Sequence, residues 1–458
     1  MVYLMTTSKT RLAQVLTQAL SALKPTSNEI AMSNALSNQL MLRLKNKVSS
    51  NVDIIMAGSV ARGTQISGNS DIDIFLLFPK TSNEREMEAL GIKYAKSIVN
   101  RKNGETFKIK YSEHPYLQLI SKTPPIKVDI VPAFKINDSF EMGSAVDRTQ
   151  LHNIFILDHL SNEQKDDVRL LKGFLKFHSI YGAEAKTEGF SGYLCELLVY
   201  YYGSFVKVLE GISRITIPIV ISPKEHLLLK KEDKNFESDF IVIDPTDDNR
   251  NVAAAVSKES LSKFIIISRK FLNKPSIDFF YDNKYSDYNS RTRLNKIRKK
   301  MSVDLYIIHF DAHDISEDIL WQQAKRFMRQ MQSHLEREQF SVLLSLLDIS
   351  DNKGIICLFI NKYEIGSKLY QGPEVFLEHP STTFIESNST VVFKDYRLYS
   401  IKNVQNKNPH AQILSFIRSR SEFIPTHINK KSIKISINKY SEQQAKILYK
   451  QYVQAVRF

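Results

Sequence analysis

Residues 58–79 read GSVARGTQISGNSDIDIFLLFP, and the second half of this stretch is an apolar run that carries two aspartates. In a strand, residues two apart share a face, so Asp71 and Asp73 point to one side while Ile72 and Ile74 point to the opposite, buried side. Neighbouring carboxylates repel each other unless a cation lies between them, and hard oxygen ligands of this kind suit Mg²⁺. The spacing therefore predicts a strand that carries a magnesium site.

A third aspartate, Asp129, lies in the equally apolar segment IKVDIV at 126–131. An unpaired carboxylate is costly in such surroundings. The economical interpretation is that the strands neighbour one another and that Asp71, Asp73 and Asp129 together hold two metal ions. Such a pair of ions can stabilise both the attacking and the leaving oxygen of a phosphoryl transfer.

The turn before the acidic pair offers groups that suit a phosphate. Gly58 lets an anion approach the backbone closely. Ser59, at the start of a predicted helix, offers a hydroxyl and an amide to that anion, aided by the helix dipole. Arg62 follows one turn later on roughly the same face. We expect these three residues to contact the same phosphates.

Positive charge is concentrated in two places along the 458 residues, whose formal net charge is +14. Residues 401–458 contain 11 basic and 2 acidic residues, and residues 291–300 contain six basic residues and no acid. This distribution favours a polyanionic partner, most often nucleic acid. A solvated basic face without a partner and an anionic membrane surface are the alternatives.

Several classes of protein are excluded by composition. The apolar runs fall far short of the ~20 residues that a membrane span needs, and the first residues lack the pattern of a signal peptide. The two cysteines, Cys195 and Cys357, exclude a disulfide scaffold and a cysteine-based zinc site. We therefore expect a cytoplasmic protein.

The apolar periodicity predicts an α+β organisation. In chain order, the predicted elements are helices at 8–23 and 29–48, strands at 52–59 and 70–79, a helix at 83–101, strands at 115–121 and 126–131 with Pro132 ending the second, helices at 168–178 and 190–211, strands at 216–221 and 239–244, a helix at 251–273, and a β-α-β-β order over 303–361.

The amino-acid sequences of several of these segments resemble those of a known protein family. GSVARGTQISGNSDIDIFLLFP followed by VDIVPAF is similar to the catalytic palm of polymerase-beta-like nucleotidyltransferases. SAVDRTQLHNIFI, VRLLKGFLKFHSIYGAEAKTEGFSGYLCELLVYYYGSF and IVIDPTDDNRNVAAAVS resemble the archaeal-type (class I) CCA-adding tRNA nucleotidyltransferases. The resemblance covers most of residues 30–270 closely, and residues 300–362 in their pattern of elements.

This resemblance implies an α+β multidomain fold with a polymerase-beta-like palm on a small mixed sheet, a helical neck, a second α/β sandwich domain and a mixed RNA-binding tail. The expected boundaries are a catalytic head at 1–150, a mostly helical neck at 151–275, a body at 276–362 and 420–458, and a tail at 363–419.

The resemblance also implies an activity, the addition of C, C and A to the 3′ end of tRNA from CTP and ATP without a nucleic-acid template. Two Mg²⁺ ions are the implied cofactors. The implied partner is tRNA, bound at its acceptor stem and T arm, and a homodimer is left open.

Carried over position by position, the family implies a role for each matching residue. Asp71 and Asp73 would bind both metal ions, and Asp129 would complete the site and help to activate the primer hydroxyl. The implied nucleotide contacts are Gly58, Ser59 and Arg62 at the triphosphate, Thr149 and His152 near the sugar and phosphates, Lys172 and Tyr181 at the triphosphate from the neck side, and Arg250 at the base.

The residue types around Lys172 agree with such a role. Arg169, Lys172 and Lys176 follow one another at helical spacing in an otherwise apolar helix, so we expect a basic stripe on its exposed face. A stripe of this kind would suit a triphosphate.

Three alternatives stay open. Another polymerase-beta-like enzyme, such as a poly(A) polymerase or an oligoadenylate synthetase, would share the palm. A non-catalytic RNA-binding protein on the same palm would normally have lost a carboxylate. His309, Asp311 and His313 could form a separate weak metal site if they share a strand face.

Overall fold

The computed structural model divides the chain into two compact units, residues 1–285 with 458 and residues 286–457. None of the described helices combines the length and the hydropathy that a bilayer crossing requires. The residues that the structure describes are 2–69, 71–111, 114–137, 141, 144, 146–229, 236–281, 289–313, 315–338, 340–362, 367–403 and 408–456.

The first unit combines two sheets with a set of helices. Its strands are β1 (Asp53–Ala57), β2 (Ile72–Phe78), β3 (Thr106–Tyr111), β4 (Pro115–Ile120), β5 (Lys127–Phe134), β6 (Ile219–Ser222), β7 (Leu227–Leu229), β8 (Phe240–Asp244) and β9 (Asp247–Asn251). Its helices are α1 (Val2–Leu23), α2 (Ser27–Lys45), α3 (Gly58–Arg62), α4 (Glu84–Ser97), α5 (Thr149–His159), α6 (Asn162–Phe177), α7 (Gly192–Tyr202), α8 (Phe205–Ser213) and α9 (Lys258–Asn273).

The larger sheet has the strand order β1-β2-β5-β4-β3, in which β2 and β5 are parallel and the other neighbours antiparallel. Ile72 and Ile74 lie in a core that also takes in residues of α2 and α4. Phe75 and Leu77 belong to a separate cluster, and Asp73, two residues before Phe75, shares their face of the strand. The alternation expected for β2 is therefore confirmed, and the acidic side chains lie on the sheet face away from α2 and α4.

Strand β5 does not end at Pro132, as the sequence predicted, but continues to Phe134. Its pairing with β4 stops at Ile130, whereas its pairing with β2 continues to the end of the strand. Beyond Ile130, one edge of β5 therefore has no strand neighbour among the residues that the structure describes. A proline is tolerated there because its missing N–H removes no bond on that side.

The helix predicted at 190–211 is two helices. Gly203 adopts the left-handed conformation with φ +93° and ends α7, and Ser204 then caps α8 by accepting a hydrogen bond from the backbone N–H of Lys207. Glycine reaches this conformation at little cost, which makes it the usual residue after a helix. The two helices share a large apolar core with α5, α6 and α9.

The helix predicted at 251–273 starts seven residues later, at Lys258. Asn251 is the last residue of β9, and Ser257 caps α9 by accepting from the backbone N–H of Ser260. The smaller sheet that β9 closes has the order β7-β6-β8-β9. Residues 252–256 are apolar and fit the period of a helix, which is why the helix was predicted to start too early. In the structure they lie in the turn region between β9 and α9.

The second unit contains the β-α-β-β order that the sequence predicted. Its elements are α10 (Ser290–Met301), β10 (Val303–Asp311), α11 (Glu317–Arg337), β11 (Val342–Ser350), β12 (Lys353–Asn361), β13 (Ser367–Glu374), α12 (Glu378–Glu386), β14 (Val391–Lys394), β15 (Arg397–Asn403), α13 (Pro409–Ser419), β16 (Lys434–Ile437) and α14 (Glu442–Val456).

One sheet of this unit has the order β11-β12-β10-β16, so a strand from residues 434–437 joins strands that lie far earlier in the chain. Residues of α10 and α14 pack with this sheet in one apolar core. A smaller sheet has the order β13-β15-β14. The mixed α+β multidomain fold class is thereby confirmed.

Helix α4 approaches the larger sheet of the first unit through a glycine. A Cβ atom added at Gly91 would lie 2.5 Å from Cβ of Pro132 on β5. We predict that Gly91→Ala lowers the free energy of unfolding by about 1–3 kcal/mol through overpacking, against an intrinsic helix gain of about 1 kcal/mol. Urea unfolding followed by circular dichroism measures this change.

The matched control is Lys93→Ala, an exposed position on the same helix. Its effect should stay within about 0.5 kcal/mol. Equal stability of the two variants would contradict the close packing of α4 on β5.

Candidate active site

Two of the three acidic residues that the sequence indicated lie on one sheet face. Asp73 on β2 and Asp129 on β5 are direct partners in the parallel register. Asp71 lies one residue before β2 and is exposed. The amide of Gln118 on β4 donates a 2.9 Å hydrogen bond to Oδ1 of Asp129.

The two facing carboxylates disfavour each other's charge. Burial raises the pKa of Asp73 to about 7, with a further rise from the negative charge of Asp129 and an opposing effect of Arg62. Burial also raises the pKa of Asp129, and the hydrogen bond from Gln118 opposes it. Within the described part of the chain, Asp73 takes part in no recorded salt bridge or hydrogen bond. The charges of Arg62, Lys110 and Lys127 favour the ionised forms of this pair only in part, so these hard oxygen ligands fit a divalent cation.

Another group has a tighter geometry than these aspartates. Among the described residues, the group of three metal-ligating side chains whose ligand atoms all lie within 4.8 Å of one another is Glu84, Glu88 and His114. Neither His309, Asp311 and His313 nor the three aspartates form such a group there, so this geometry gives no support to the separate metal site considered at residues 309–313.

Gly58 lies directly against the acidic pair. Its φ is +72°, in the left-handed region, and a Cβ atom at this position would fall 1.9 Å from Oδ2 of Asp73. Only glycine therefore fits between the end of β1 and the carboxylate. Helix α3, which begins here, has five residues, so the dipole expected to assist Ser59 contributes little.

Arg62 and Lys172 meet at a carboxylate that the sequence analysis did not identify. Glu196 on α7 is wholly buried. Its Oε2 lies 3.0 Å from Nε of Arg62, and its Oε1 lies 3.4 Å from Nζ of Lys172. The hydroxyl of Thr64 donates a short hydrogen bond to the same Oε1. Lys172 in turn donates to the Thr64 carbonyl and contacts its hydroxyl, both at 3.1 Å.

The exposed basic stripe predicted on α6 is therefore wrong for two of its three members. Lys172 is 1% exposed and lies in the cluster just described. Arg169 is buried and donates to the backbone carbonyls of Gly63 and Gln65 while it pairs with Asp166. Lys176 alone is exposed. Arg169 thus binds the backbone of the segment that follows α3. The ammonium group of Lys172 is buried inside the protein and does not face solvent.

Tyr181 lies beside Lys172, as their shared contact with Gly192 indicates. A Cβ atom at Gly192 would lie 3.2 Å from the Tyr181 hydroxyl and 3.6 Å from Nζ of Lys172. Burial raises the pKa of Tyr181 well above its usual range. Burial also raises the pKa of the neighbouring Cys195 thiol to about 12. Both groups are therefore neutral at physiological pH.

A second buried carboxylate, Asp244, contacts two further residues that the sequence analysis expected at the nucleotide, His152 and Arg250. Asp244, at the end of β8, accepts from Nη1 of Arg250 at 2.8 Å and lies 2.7 Å from Nε2 of His152. The hydroxyl of Tyr193 donates to it at 3.2 Å, and the Tyr193 ring stacks on His152 with centroids 3.8 Å apart. Thr246 donates to it through both N–H and hydroxyl.

These contacts keep Asp244 ionised. Burial favours its neutral form, but the hydrogen bonds from His152 and Thr246 and the charge of His152 hold the pKa of Asp244 far below its usual range. Burial lowers the pKa of His152, and Asp244 opposes that effect. Thr149 begins α5, three residues before His152.

Sequence reasoning missed Glu196, Thr64, Asp244 and Tyr193. A signal existed for Glu196, because it is the single charged residue in the apolar helix GYLCELLVYYY. A buried carboxylate needs a cationic partner, but nothing in the local sequence states which cation this is.

Three parts of the chain match models of known families. Residues 38–152 match the nucleotidyltransferase domain, residues 166–281 match the second domain of tRNA nucleotidyltransferase, and residues 302–440 match the C-terminal domain of the CCA-adding enzyme. Among solved structures, the chain is similar to the Cid1 poly(U) polymerase, with a TM-score of 0.48 and 16% identity over 59% of this chain and 98% of that one.

Curated relatives cover most of the chain. The CCA-adding enzyme of Methanocaldococcus jannaschii is 31% identical over 94% of this chain and 97% of the relative. Those of Archaeoglobus fulgidus and Sulfurisphaera tokodaii are 35% and 38% identical over 74% and 75% of this chain, and over 74% and 79% of the relatives. With the nucleotidyltransferase domain carrying the acidic pair, the chain is a nucleotidyltransferase and belongs to the family of CCA-adding enzymes.

Proposed function

We propose that the chain adds C, C and A to the 3′ end of tRNA, taking CTP and ATP as substrates, without a nucleic-acid template and with release of pyrophosphate. The observation that carries this proposal is that the acidic pair Asp73 and Asp129 lies in the same unit as Arg62 and Lys172, two cations that share one carboxylate. The acids suit a divalent metal and the cations suit a triphosphate.

The aspartates supply the catalytic centre in this proposal. Asp71, Asp73 and Asp129 would hold two Mg²⁺ ions, and these ions would supply a lower pKa for the primer 3′ hydroxyl and positive charge opposite the pyrophosphate. Gly58 keeps the backbone clear of Asp73, and the neighbouring Ser59 is available to a phosphate.

The nucleotide would lie along the two carboxylate clusters. Arg62, Lys172 and Tyr181 would contact the triphosphate, and Thr149 and His152 the sugar and phosphates. Arg250, whose guanidinium is partly exposed and anchored on Asp244, would contact the base.

The second unit would bind the tRNA. In α10, Leu294 is buried while Lys296, Lys299 and Lys300 are exposed, so one side of the helix presents positive charge. Such a surface suits the backbone of the acceptor stem and T arm, because A-form RNA is recognised mainly by shape and phosphate contacts. We assign the catalytic head to residues 1–150, the neck to 151–275, the body to 276–362 with 420–458, and the tail to 363–419.

Primer extension tests the proposal. On tRNA that ends at the discriminator base, with Mg²⁺, we expect CTP alone to add two residues and CTP with ATP to add three. Long tails from ATP alone would contradict the proposal and favour a poly(A) polymerase on the same palm. Tight tRNA binding without any extension would favour a non-catalytic RNA-binding protein.

Asp73→Asn should abolish most incorporation without loss of stability. The substitution removes a metal ligand, and losses of about 10²–10³ in kcat are typical when transition-state charge stabilisation is removed. It also removes a buried negative charge that faces Asp129, so the melting temperature should not fall. Single-turnover CTP incorporation and thermal melting measure the two effects.

The matched control is Asp158→Asn, at an exposed position on α5, which should keep wild-type turnover. Undiminished turnover of Asp73→Asn would refute the catalytic assignment.

Asp244→Asn should impair nucleotide recognition. Hydrogen bonds to charged groups contribute about 1.5–3 kcal/mol, so we expect the KM for CTP and ATP to rise about tenfold or more and discrimination against UTP to weaken. Steady-state kinetics with each nucleotide measures this, with Asp248→Asn, an exposed neighbour, as the control. Unchanged KM values and unchanged UTP rejection would remove Asp244 and its partners from the nucleotide site.

A further inference from the structure

The cluster around Glu196 contains more positive than negative charge. Arg62 and Lys172 both pair with this one carboxylate, and neither Cys195 nor Tyr181 supplies a further anion, because burial raises the pKa of each. Asp73 also interacts with the charge of Arg62, but burial raises the pKa of Asp73 to about 7, so this carboxylate offsets the excess only in part. The side chains of Arg62, Lys172 and Glu196 are all nine-tenths or more buried. A buried cation in excess of its counterions is unfavourable, so the cluster is complete when another anion joins it.

The position of Glu196 explains how the two cations come together. Arg62 is the last residue of α3, Lys172 lies on α6, and Glu196 lies on α7. Each carboxylate oxygen of Glu196 pairs with a different cation: Oε2 faces Arg62, and Oε1 faces Lys172. The hydroxyl of Thr64 binds the lysine-facing oxygen as well, which holds the segment directly after α3.

We propose that Glu196 is a positioning residue for the incoming nucleotide, whose buried carboxylate holds Arg62 and Lys172 side by side so that their surplus positive charge meets the triphosphate. The inference rests on the proposed function, because it takes a nucleoside triphosphate as the anion. Glu196 itself contacts no substrate. A merely structural ion pair would support the fold and leave nucleotide affinity unchanged.

The charge of Lys172 provides a specific readout. Burial lowers the pKa of Lys172, and Glu196 is the largest influence that raises it. The other charged or titratable groups that face it are Arg62, which lowers this pKa, and Cys195, together with the neighbouring Tyr181. Without the carboxylate, Lys172 loses its proton at a lower pH, so its attraction for a triphosphate fades as the pH rises.

The test is the affinity of the full-length chain for CTP with Mg²⁺, measured by calorimetry at several pH values between 7 and 9. Glu196→Gln preserves size and a hydrogen-bonding oxygen. We expect its Kd to be about tenfold weaker than wild type, the equivalent of one pKa unit of differential interaction, and to weaken further towards pH 9. The wild-type Kd should change less with pH across this range than that of Glu196→Gln.

Two controls separate positioning from stability. Glu210→Gln makes the same chemical change at an exposed position on α8 and should bind CTP as wild type does. Lys172→Gln should weaken binding without the pH dependence, and Glu196→Gln combined with it should weaken binding little more, because the two residues act as a unit. Glu196→Asp should restore part of the affinity if Glu196→Gln melts too easily to measure.

The outcomes distinguish this inference from the proposed function. If Glu196→Gln lowers the melting temperature but binds CTP within about twofold of wild type at every pH, the ion pair is structural and the inference is refuted, even if the wild type completes CCA ends. If the wild type binds CTP but extends no tRNA, the proposed function fails, while the Kd values and their pH dependence still decide the role of Glu196.

Discussion

Two carboxylates, Asp73 and Asp129, face each other across neighbouring parallel strands, and much of the surrounding structure accommodates their mutual repulsion. Gly58 leaves the space that the Asp73 carboxylate occupies. Gln118 donates a hydrogen bond to Asp129 from the next strand, and the positive charge of Arg62 favours the ionised form of Asp73. These contacts offset the repulsion only in part, which is why the pair remains suited to a divalent cation.

Around this pair, the positive side chains are themselves held by deeper carboxylates. Glu196 binds Arg62 and Lys172, and Asp244 binds Arg250 and lies beside His152. Long basic side chains lose much conformational freedom when they bind a ligand. Basic side chains that are already held in place lose less freedom on binding, so under the proposed function the two buried anions would prepare the cations for a negatively charged substrate.

The sequence predicted some elements well because their signals are local. The alternation in Ile72–Phe78 depends only on the period of a strand, and the β-α-β-β order of residues 303–361 follows from period and length. The prediction of one continuous helix at 190–211 was wrong. The apolar periodicity continues through the turn at Gly203 and Ser204, so it does not reveal that the helix ends there. The strand Lys434–Ile437, which completes the sheet β11-β12-β10-β16, was not predicted because it is short and its partners lie far away in the chain.

By itself, the sequence determined which side of β2 would be acidic, how the charge is distributed, and that Gly58 and Ser59 precede the acids. These properties depend on neighbours along the chain. Only the tertiary structure decided that Lys172 is internal, since a helical period identifies an apolar side but does not state whether a polar position meets water or a buried partner. Glu196 and Asp244 acquire their roles from helices and strands that pack together although they are distant in sequence, and packing of that kind leaves no local pattern.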